Sequence, residues 1–181
     1  MFKLIALILL AALLLLVAYA STRPDDFKVE RSIVVQAPAE RVFTMVNDLE
    51  QFNRWNPWLR KDPKTVQRYG DKRAGVGAFY AWESREIGVG SMEISASQPS
   101  TRIEMKLDFI RPFEAHNQVV FSLSPEGQGQ RLVWAMSGKN NFIGKLMGLV
   151  FNMDRMVGSD FEAGLAELKQ LAEHTEQGQQ P

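Results

Sequence analysis

The central part of the chain alternates between apolar and polar side chains with a period of two. The alternation is clearest over residues 101–110, where Ile103 and Met105 lie between Arg102, Glu104 and Lys106. This pattern predicts a β-strand with one buried and one solvated face, as in an antiparallel sheet. Similar runs predict further strands at 27–36, 65–69, 78–84, 88–97, 117–123 and 132–136.

After the last predicted strand, apolar positions recur every three or four residues over residues 141–173. This spacing predicts one long amphipathic helix. Its apolar stripe consists of Phe142, Leu146, Val150, Met153, Val157, Phe161, Leu165, Leu168 and Leu171. Four glycines in this segment suit a helix that approaches another surface closely. Ser159 and Glu162 match a capping box directly after Gly158, so a kink or a restart is expected there.

Two shorter helices are predicted between the first and second strands. The first opens at Pro38 and Glu40, residue types that suit a first helical turn, and the second covers residues 49–55. No long crossover separates the later strands, so we expect a meander. The apolar sheet face and the apolar helix stripe must bury each other. The pattern therefore predicts an α+β architecture, with a curved antiparallel sheet of about seven strands around the C-terminal helix.

The N-terminus carries an unbroken apolar run over residues 4–20, directly after Lys3. Two alternatives fit this run: a retained single-span membrane anchor, or a secretory signal cleaved after Ala20. The sequence Ala18-Tyr19-Ala20 resembles a cleavage site, but the run exceeds the usual signal core of about 7–15 residues. We favour the anchor, which would leave the remaining domain on the extracytoplasmic (periplasmic) side; cleavage would give a secreted or periplasmic protein.

These patterns divide the chain into three parts. Residues 1–23 form the anchor or signal and its linker, residues 24–175 form one folded domain, and residues 176–181 form a disordered tail. Because the linker separates the apolar run from the first strand, the domain is expected to fold without residues 1–23.

The composition excludes several classes of site. The 21 lysines and arginines balance 21 aspartates and glutamates, so charge gives no case for a nucleic-acid partner. There is no cysteine, which excludes disulfides, thiolate metal sites and cysteine nucleophiles. The two histidines, His116 and His174, lie far apart, and no spacing of acids accompanies them. We therefore expect neither a metal nor a cofactor.

The order of elements and several short signatures resemble the SRPBCC superfamily. The signatures are APAERVF, RWNPW, GVGAFYAW, LVWAMSG and GSDFEAGLAELKQLAE, and the resemblance covers about residues 27–173. Within the superfamily, the chain is most similar to the polyketide cyclase/dehydrase and lipid-transport group. The resemblance implies a START-like (Bet v 1-like) helix-grip fold with an elongated apolar cavity between sheet and helix. Members of the group bind lipids, sterols or polyketides, and some are cyclases.

The inward-facing positions are the candidate ligand-binding residues, and they admit two interpretations. They line a cavity, or they fill an ordinary core; methionine and aromatic side chains suit an irregular ligand. Asn117 is the one polar side chain assigned inward, and Trp58 either gates the cavity mouth or packs, with Trp55, against the sheet. The full set is Trp58, Met92, Ile94, Met105, Leu107, Phe109, Asn117, Val119, Phe121, Trp134, Met136, Val150, Met153 and Val157.

No catalytic residue is predicted. By strand parity His116 faces outward, as do Glu93, Glu104 and Asp108, and no nucleophile lies beside a base in the pattern. The leading hypothesis is membrane-tethered binding or transfer of a hydrophobic small molecule or lipid. The alternatives are a cyclase- or dehydrase-like enzyme and a protein-interaction module on the membrane surface. The oligomeric state is left open.

Overall fold

The computed structural model of this protein describes residues 2–140, 144, 145, 148 and 152–174, with only the backbone of Phe2, Ala12, Leu13 and Met153. Most of the predicted long helix before Asn152, including Val150, lies outside the described residues, as does the predicted tail at 176–181. The described part contains four helices of seven or more residues and seven strands.

Helix α1, Phe2–Ser21, is the N-terminal apolar segment. Its described side chains are exposed, with the exception of Ala20 at its end. Within the described residues, Lys3–Ser21 is the one helix whose length and composition would allow it to cross a membrane, and a signal sequence would share these properties. The apolar helix predicted from the sequence is therefore present, and its length and composition suit a membrane anchor or a signal sequence.

One antiparallel sheet contains all seven strands in the order β1-β7-β6-β5-β4-β3-β2. Strands β2 to β7 follow one another as a meander, and β1 pairs with β7. The strands are β1 Asp26–Val35, β2 Val66–Tyr69, β3 Phe79–Glu83, β4 Val89–Gln98, β5 Arg102–Arg111, β6 Ala115–Glu126 and β7 Gly129–Lys139. The register between β4 and β5 shifts twice, at an extra residue in β5, Ile110, and at one in β4, Ser95, and such bulges locally raise the twist of a sheet. The predicted fold class is confirmed.

Two short helices connect β1 to β2: α2, Ala39–Asn47, and α3, Leu49–Trp55. Asp48 separates them, because its extended backbone ends α2 and its Oδ1 accepts hydrogen bonds from the amides of Glu50 at 2.8 Å and Gln51 at 3.3 Å. Each helix buries one apolar stripe, Val42, Phe43, Met45 and Val46 on α2 and Leu49, Phe52 and Trp55 on α3. The Trp55 indole N–H donates to the Met45 carbonyl at 2.9 Å, which ties α3 to α2.

Helix α4, Met153–His174, is the described part of the long C-terminal helix. Asn152 precedes it, and its Oδ1 accepts a hydrogen bond from the Arg155 amide at 2.9 Å. The expected restart near Gly158 is wrong, since the helix continues through this residue. The Ser159 hydroxyl donates to the Met156 carbonyl at 2.8 Å, as a side chain within a helix does, and so caps no new helix.

Gly158 has a different role, which is to make room for Arg31 of β1. A Cβ at Gly158 would lie 2.0 Å from Arg31 Nη2. Arg31 donates to Glu162 Oε1 at 2.7 Å and to both carboxylate oxygens of Asp154 at 3.1 Å. These hydrogen bonds, those to Asp154 first, raise the pKa of the Arg31 guanidinium above its usual range. An ion-paired arginine therefore holds the first half of α4 on the edge strand.

The core lies between the inner face of the sheet and the three helices of the domain. The predicted strand parity is confirmed on β5, where Ile103, Met105 and Leu107 are buried. On β6, His116 is exposed and faces Asp108 across the strand pair. Aromatic rings dominate the core beneath α4, where Phe161 stacks on Trp134 with 3.9 Å between ring centroids and 6° between planes.

We predict that truncating Phe161 disrupts the attachment of α4. Phe161→Ala should cost about 3–5 kcal/mol of unfolding free energy, because it removes a buried ring and leaves a cavity beside Trp134. Urea titration followed by far-ultraviolet circular dichroism measures this. Met156→Ala is the matched control: Met156 lies on the same helix but is 52% exposed. The control should change stability by less than about 0.5 kcal/mol. Equal costs for both variants would contradict this attachment of the helix.

A second prediction concerns the register of β5 and β6. His116 Nδ1 lies 2.6 Å from Asp108 Oδ1, and this hydrogen bond, with a smaller effect of Glu114, raises the His116 pKa above its usual 6.5. Protonated His116 therefore stabilises the fold at low pH, and this contribution is lost as the pH rises through the raised pKa. Asp108→Asn should lower the His116 pKa in an NMR titration.

Glu93→Gln is the control for this titration. Glu93 is an acid on the same outer face, but it pairs with Lys106 and not with His116. Removing its charge should leave the His116 pKa almost unchanged, because surface charges without direct contact are screened. A His116 pKa at or below 6.5 in the unmodified protein would contradict the Asp108–His116 pairing.

Candidate ligand-binding site

The inner face of the sheet brings most of the predicted ligand-binding residues together. Six rows of paired residues run across the strands, and one row joins Phe27, Gly138, Asn117, Leu107 and Met92. Eight of the predicted residues are buried: Met92, Ile94, Met105, Leu107, Val119, Phe121, Trp134 and Met136. Trp58, Phe109, Asn117 and Val157 are partly buried. The described side chains thus share one apolar face, and their assignment to a ligand cavity stays a prediction.

One half of this face is filled by aromatic packing. Trp134 lies at the centre, in contact with Phe161 of α4, Phe121 of β6, Trp55 of α3 and Trp58. Gly164 of α4 permits this close packing, because a Cβ there would lie 3.1 Å from Trp134 Cζ3 and 3.0 Å from Pro57 Cδ. Trp55 and Trp58 therefore pack α3 and the residues that follow it onto the sheet. These contacts agree with the packing role and not with a role at the cavity mouth.

The other half of the face is organised around Trp82 of β3. Its ring covers Gly90 of β4, where a Cβ would lie 2.5 Å from Trp82 Cζ2 and 2.5 Å from the Asp108 carbonyl oxygen. Tyr80 stacks beside Trp82 at 5.7 Å, and Phe109 meets it edge-on at 5.7 Å. Sequence reasoning placed neither Tyr80 nor Trp82 on the ligand-binding face. The alternation of the short strand β3 was the signal that could have found them.

Two indole N–H groups on this face have no hydrogen-bond acceptor among the described residues. Trp82 Nε1 and Trp134 Nε1 are buried, and no partner is found for either within the part of the chain that the structure describes. The Trp55 indole, by contrast, donates to the Met45 carbonyl. A buried donor without an acceptor costs about 1–3 kcal/mol, so such groups are rare and call for an explanation. The inner face therefore contains two buried donors that lack a partner among the described residues.

Asn117, the polar residue predicted to face inward, is directed across the sheet. Its Oδ1 occupies the space that Gly138 leaves, since a Cβ at Gly138 would lie 2.1 Å from this atom. The residue is partly buried at the end of the face where β1 begins. Asn117 thus fills the space beside Gly138 and lies next to the apolar residues of the inner face.

Tyr80 is the titratable group of this face whose pKa is clearly shifted. Burial, with a smaller effect of the neighbouring Tyr69, raises the pKa of its phenol above the usual range. Tyr80 therefore stays protonated near neutral pH and can donate a hydrogen bond, but it cannot serve as a base. Within the described residues, no group of three or more His, Cys, Asp or Glu side chains is placed to hold a metal ion.

Two grooves on the described surface lie outside the regions of this face around Trp82 and Trp134. One, of about 540 Å³, is open and runs over the end of β1, β7, β6 and β5; seven of its ten lining residues belong to the outer face by strand parity. The other, of about 420 Å³, lies between α2, α3 and α4. Neither groove contains Trp82 or Trp134. Both are too open to give a hydrophobic ligand the burial that small-molecule sites provide.

The fold is similar to several solved structures. Protein CV1439 from Chromobacterium violaceum has 19% sequence identity and a TM-score of 0.59, with 83% of this chain and 99% of that chain covered. Protein MLL2253 from Mesorhizobium loti has 19% identity and a TM-score of 0.58, with 82% and 98% covered. The Aha1 dimer from Colwellia psychrerythraea has 11% identity and a TM-score of 0.58, with 81% and 96% covered. At these identities the similarity shows the fold alone.

Comparison with curated protein sequences gives no match. The profile of one family, described as polyketide cyclase / dehydrase and lipid transport, matches residues 26–173. This range begins at the first strand and ends in α4, so it covers the whole described domain after the N-terminal helix. The chain therefore belongs to the polyketide cyclase/dehydrase and lipid-transport family.

Proposed function

We propose that this protein is a membrane-tethered, non-catalytic domain that binds or transfers a hydrophobic small molecule or lipid between its sheet and its C-terminal helix. Family membership makes a hydrophobic ligand plausible. The observation that carries the proposal is the pair of buried indole donors that have no acceptor among the described residues, on a mostly apolar face. Apolar walls with a few placed polar groups are the usual composition of a small-molecule site.

The donors narrow the chemistry of the ligand. The indole rings of Trp82 and Trp134 each have one N–H donor and no acceptor atom. A ligand that satisfies them carries an oxygen acceptor, such as a carbonyl, ester or carboxylate, on an apolar body. A pure hydrocarbon would leave both donors unpartnered and would gain only from burial.

The protonated phenol of Tyr80 gives this face a hydrogen-bond donor and no base. Its pKa is raised by burial, so near neutral pH it is not a base. His116, the histidine of β6, lies on the outer face beside Asp108 and Glu114. A ligand on the inner face would therefore meet donors and apolar walls there.

Enlarging an inner-face side chain tests whether this face binds a ligand. Leu107→Trp should block uptake of a fluorescent fatty-acid analogue with little change in melting temperature, because the larger ring would occupy the ligand's space. In a filled core, the same change costs about 1–3 kcal/mol through strain, which lowers the melting temperature by about 2–12 °C in a domain of this size. The measurements are probe fluorescence and thermal unfolding of residues 24–181.

Lys106→Trp is the matched control for this test. Lys106 is the neighbour of Leu107 on β5, but it is exposed on the outer face. The control should alter neither uptake nor the melting temperature. A lowered melting temperature for Leu107→Trp, together with no uptake by the unmodified domain, would reject the binding function and favour the protein-interaction module.

Removing one donor tests the inferred chemistry of the ligand. Trp82→Phe keeps an aromatic ring and deletes the N–H. It should weaken binding of the propionic acid derivative of diphenylhexatriene by about 2- to 10-fold, the equivalent of one net hydrogen bond of about 0.5–1.5 kcal/mol. Diphenylhexatriene itself has no acceptor, so its affinity should stay unchanged. Fluorescence titration of both probes gives the comparison.

Trp55→Phe is the control, since it deletes an indole N–H that already donates to Met45. This control should lower stability and leave the ratio of the two probe affinities unchanged. If Trp82→Phe changes both probes equally, the Trp82 N–H does not bind the acceptor of the ligand.

A further inference from the structure

Two large apolar side chains are exposed at the tip of the β5–β6 hairpin. Ile110 is 62% exposed and Phe113 is 55% exposed, only three residues apart. Between them Arg111 forms an ion pair with Glu83 at 3.2 Å. Single exposed apolar residues need no explanation, but a pair at a projecting tip marks a candidate contact surface. We define residues 110–113 as the hairpin tip.

The strand register shows toward which side the tip projects. The first residue of β1, Asp26, pairs with Lys139 of β7, while the neighbouring Gly138 pairs with Asn117 of β6. His116, next to Asn117, pairs with Asp108 of β5. These pairings place Asp26 level with the strand ends that lead into the hairpin tip. Residues 110–113 continue beyond that level, on the side from which the chain enters β1.

The chain enters β1 from α1. Helix α1 ends at Ser21 and β1 begins at Asp26, so four residues connect them. Four residues span at most about 14 Å, even when fully extended. Two ion pairs fix this entry point to the domain: Asp25 with Lys145, and Asp26 with Lys139 at 2.7 Å. If α1 spans a bilayer, this end of the sheet must lie close to its surface.

The length and end of α1 fit a bilayer span. Its 20 residues correspond to about 30 Å, the thickness of the hydrocarbon core. Tyr19 lies near its end, with the Arg23 guanidinium 5.1 Å from the centre of its ring. Tyrosine is enriched at membrane interfaces, so this end suits the headgroup region. The interface would then be one short linker away from the hairpin tip.

The turn between β3 and β4 packs against the hairpin tip. Gly88 adopts a φ of 79°, and a Cβ there would lie 2.1 Å from the Arg111 carbonyl oxygen. Only glycine permits both this conformation and this approach. In the same turn, the Ser84 hydroxyl accepts hydrogen bonds from the amides of Glu86 and Ile87, at 3.1 Å each, and donates to Asp62. The tip is therefore held in place by the β3–β4 connection.

We propose that the hairpin tip inserts Ile110 and Phe113 into the bilayer that holds α1, as a second membrane contact of the domain. This inference rests on the proposed membrane tethering. The charges around the tip have both signs: Arg111 pairs with Glu83, and His116 lies between Asp108 and Glu114. The attraction is therefore apolar, and a zwitterionic bilayer suffices.

This contact would orient the candidate ligand-binding face. Phe109, the residue before the tip, pairs with Gly90 of β4, and Trp82 covers Gly90. The unpartnered Trp82 N–H therefore belongs to the end of the sheet that would face the lipid. A hydrophobic molecule leaving the bilayer would meet this end of the domain first.

The experiment uses single cysteines, because the chain has none of its own. The full chain with Phe113→Cys, labelled with nitrobenzoxadiazole and reconstituted in phosphatidylcholine vesicles, should show blue-shifted emission. Lipids that carry a shallow doxyl group should quench it at least twofold more strongly than the same label at Val76→Cys. Val76 is equally exposed, but it precedes β3 at the opposite end of the sheet. The quenching should not depend on anionic lipid.

A label at Leu10→Cys, within α1, separates failure of this inference from failure of the tethering. Strong quenching by deep doxyl lipid at Leu10 with none at Phe113 would overturn the tip contact alone. No quenching at Leu10 would reject the tethering, and the tip contact with it. A blue shift at Phe113 without lipid quenching would indicate a second protein chain over the tip, which also overturns the proposal.

The side chains themselves are tested with a label at Glu114→Cys. Replacing Ile110 and Phe113 with serine should reduce its quenching at least twofold, because the apolar anchors are lost. The control pair Val76→Ser and Phe79→Ser removes two exposed apolar residues, also three positions apart, at the opposite end of the sheet, and should leave the quenching unchanged. Equal quenching with and without Ile110 and Phe113 would show that they do not hold the tip in the bilayer.

Discussion

The packing of α4 onto the inner face of the sheet is the interaction on which the rest of the domain depends. Seven strands present a continuous apolar surface, and leaving it in water would cost about 25 cal/mol for each Å² exposed. The stack of Phe161 on Trp134 holds the middle of the helix, and Arg31 holds its first half beside Gly158. Small residues on the helix face allow both contacts.

The same packing divides the inner face into two regions. Around Trp134, rings from three elements meet edge-on or stacked, and the region is a core in the ordinary sense. Around Trp82, the face is built by shorter strands and lies farther from α4 in the strand order. Each region contains one buried indole donor that has no acceptor among the described residues.

The membrane imposes a second constraint if α1 is retained. A four-residue linker restricts the rotation of the domain relative to the bilayer, so one end of the sheet would be held near the lipid. The exposed apolar tip of the β5–β6 hairpin belongs to that end. Tethering and apolar contact would then act together, and the sheet would present the Trp82 end of its inner face to the source of a hydrophobic molecule.

The sequence by itself determined the order of the elements, the parity of β5 and β6 and the apolar stripe of α4, because periods of two and of three to four record which side chains are buried. Only the tertiary structure decided that Gly158 makes room for Arg31. A capping pattern depends on neighbouring residues in the sequence, whereas Arg31 belongs to a distant strand. The tertiary structure also decided that Trp82 shares the inner face and that its N–H has no acceptor among the described residues. Hydrogen-bond satisfaction depends on three-dimensional neighbours, which no periodicity in the sequence records.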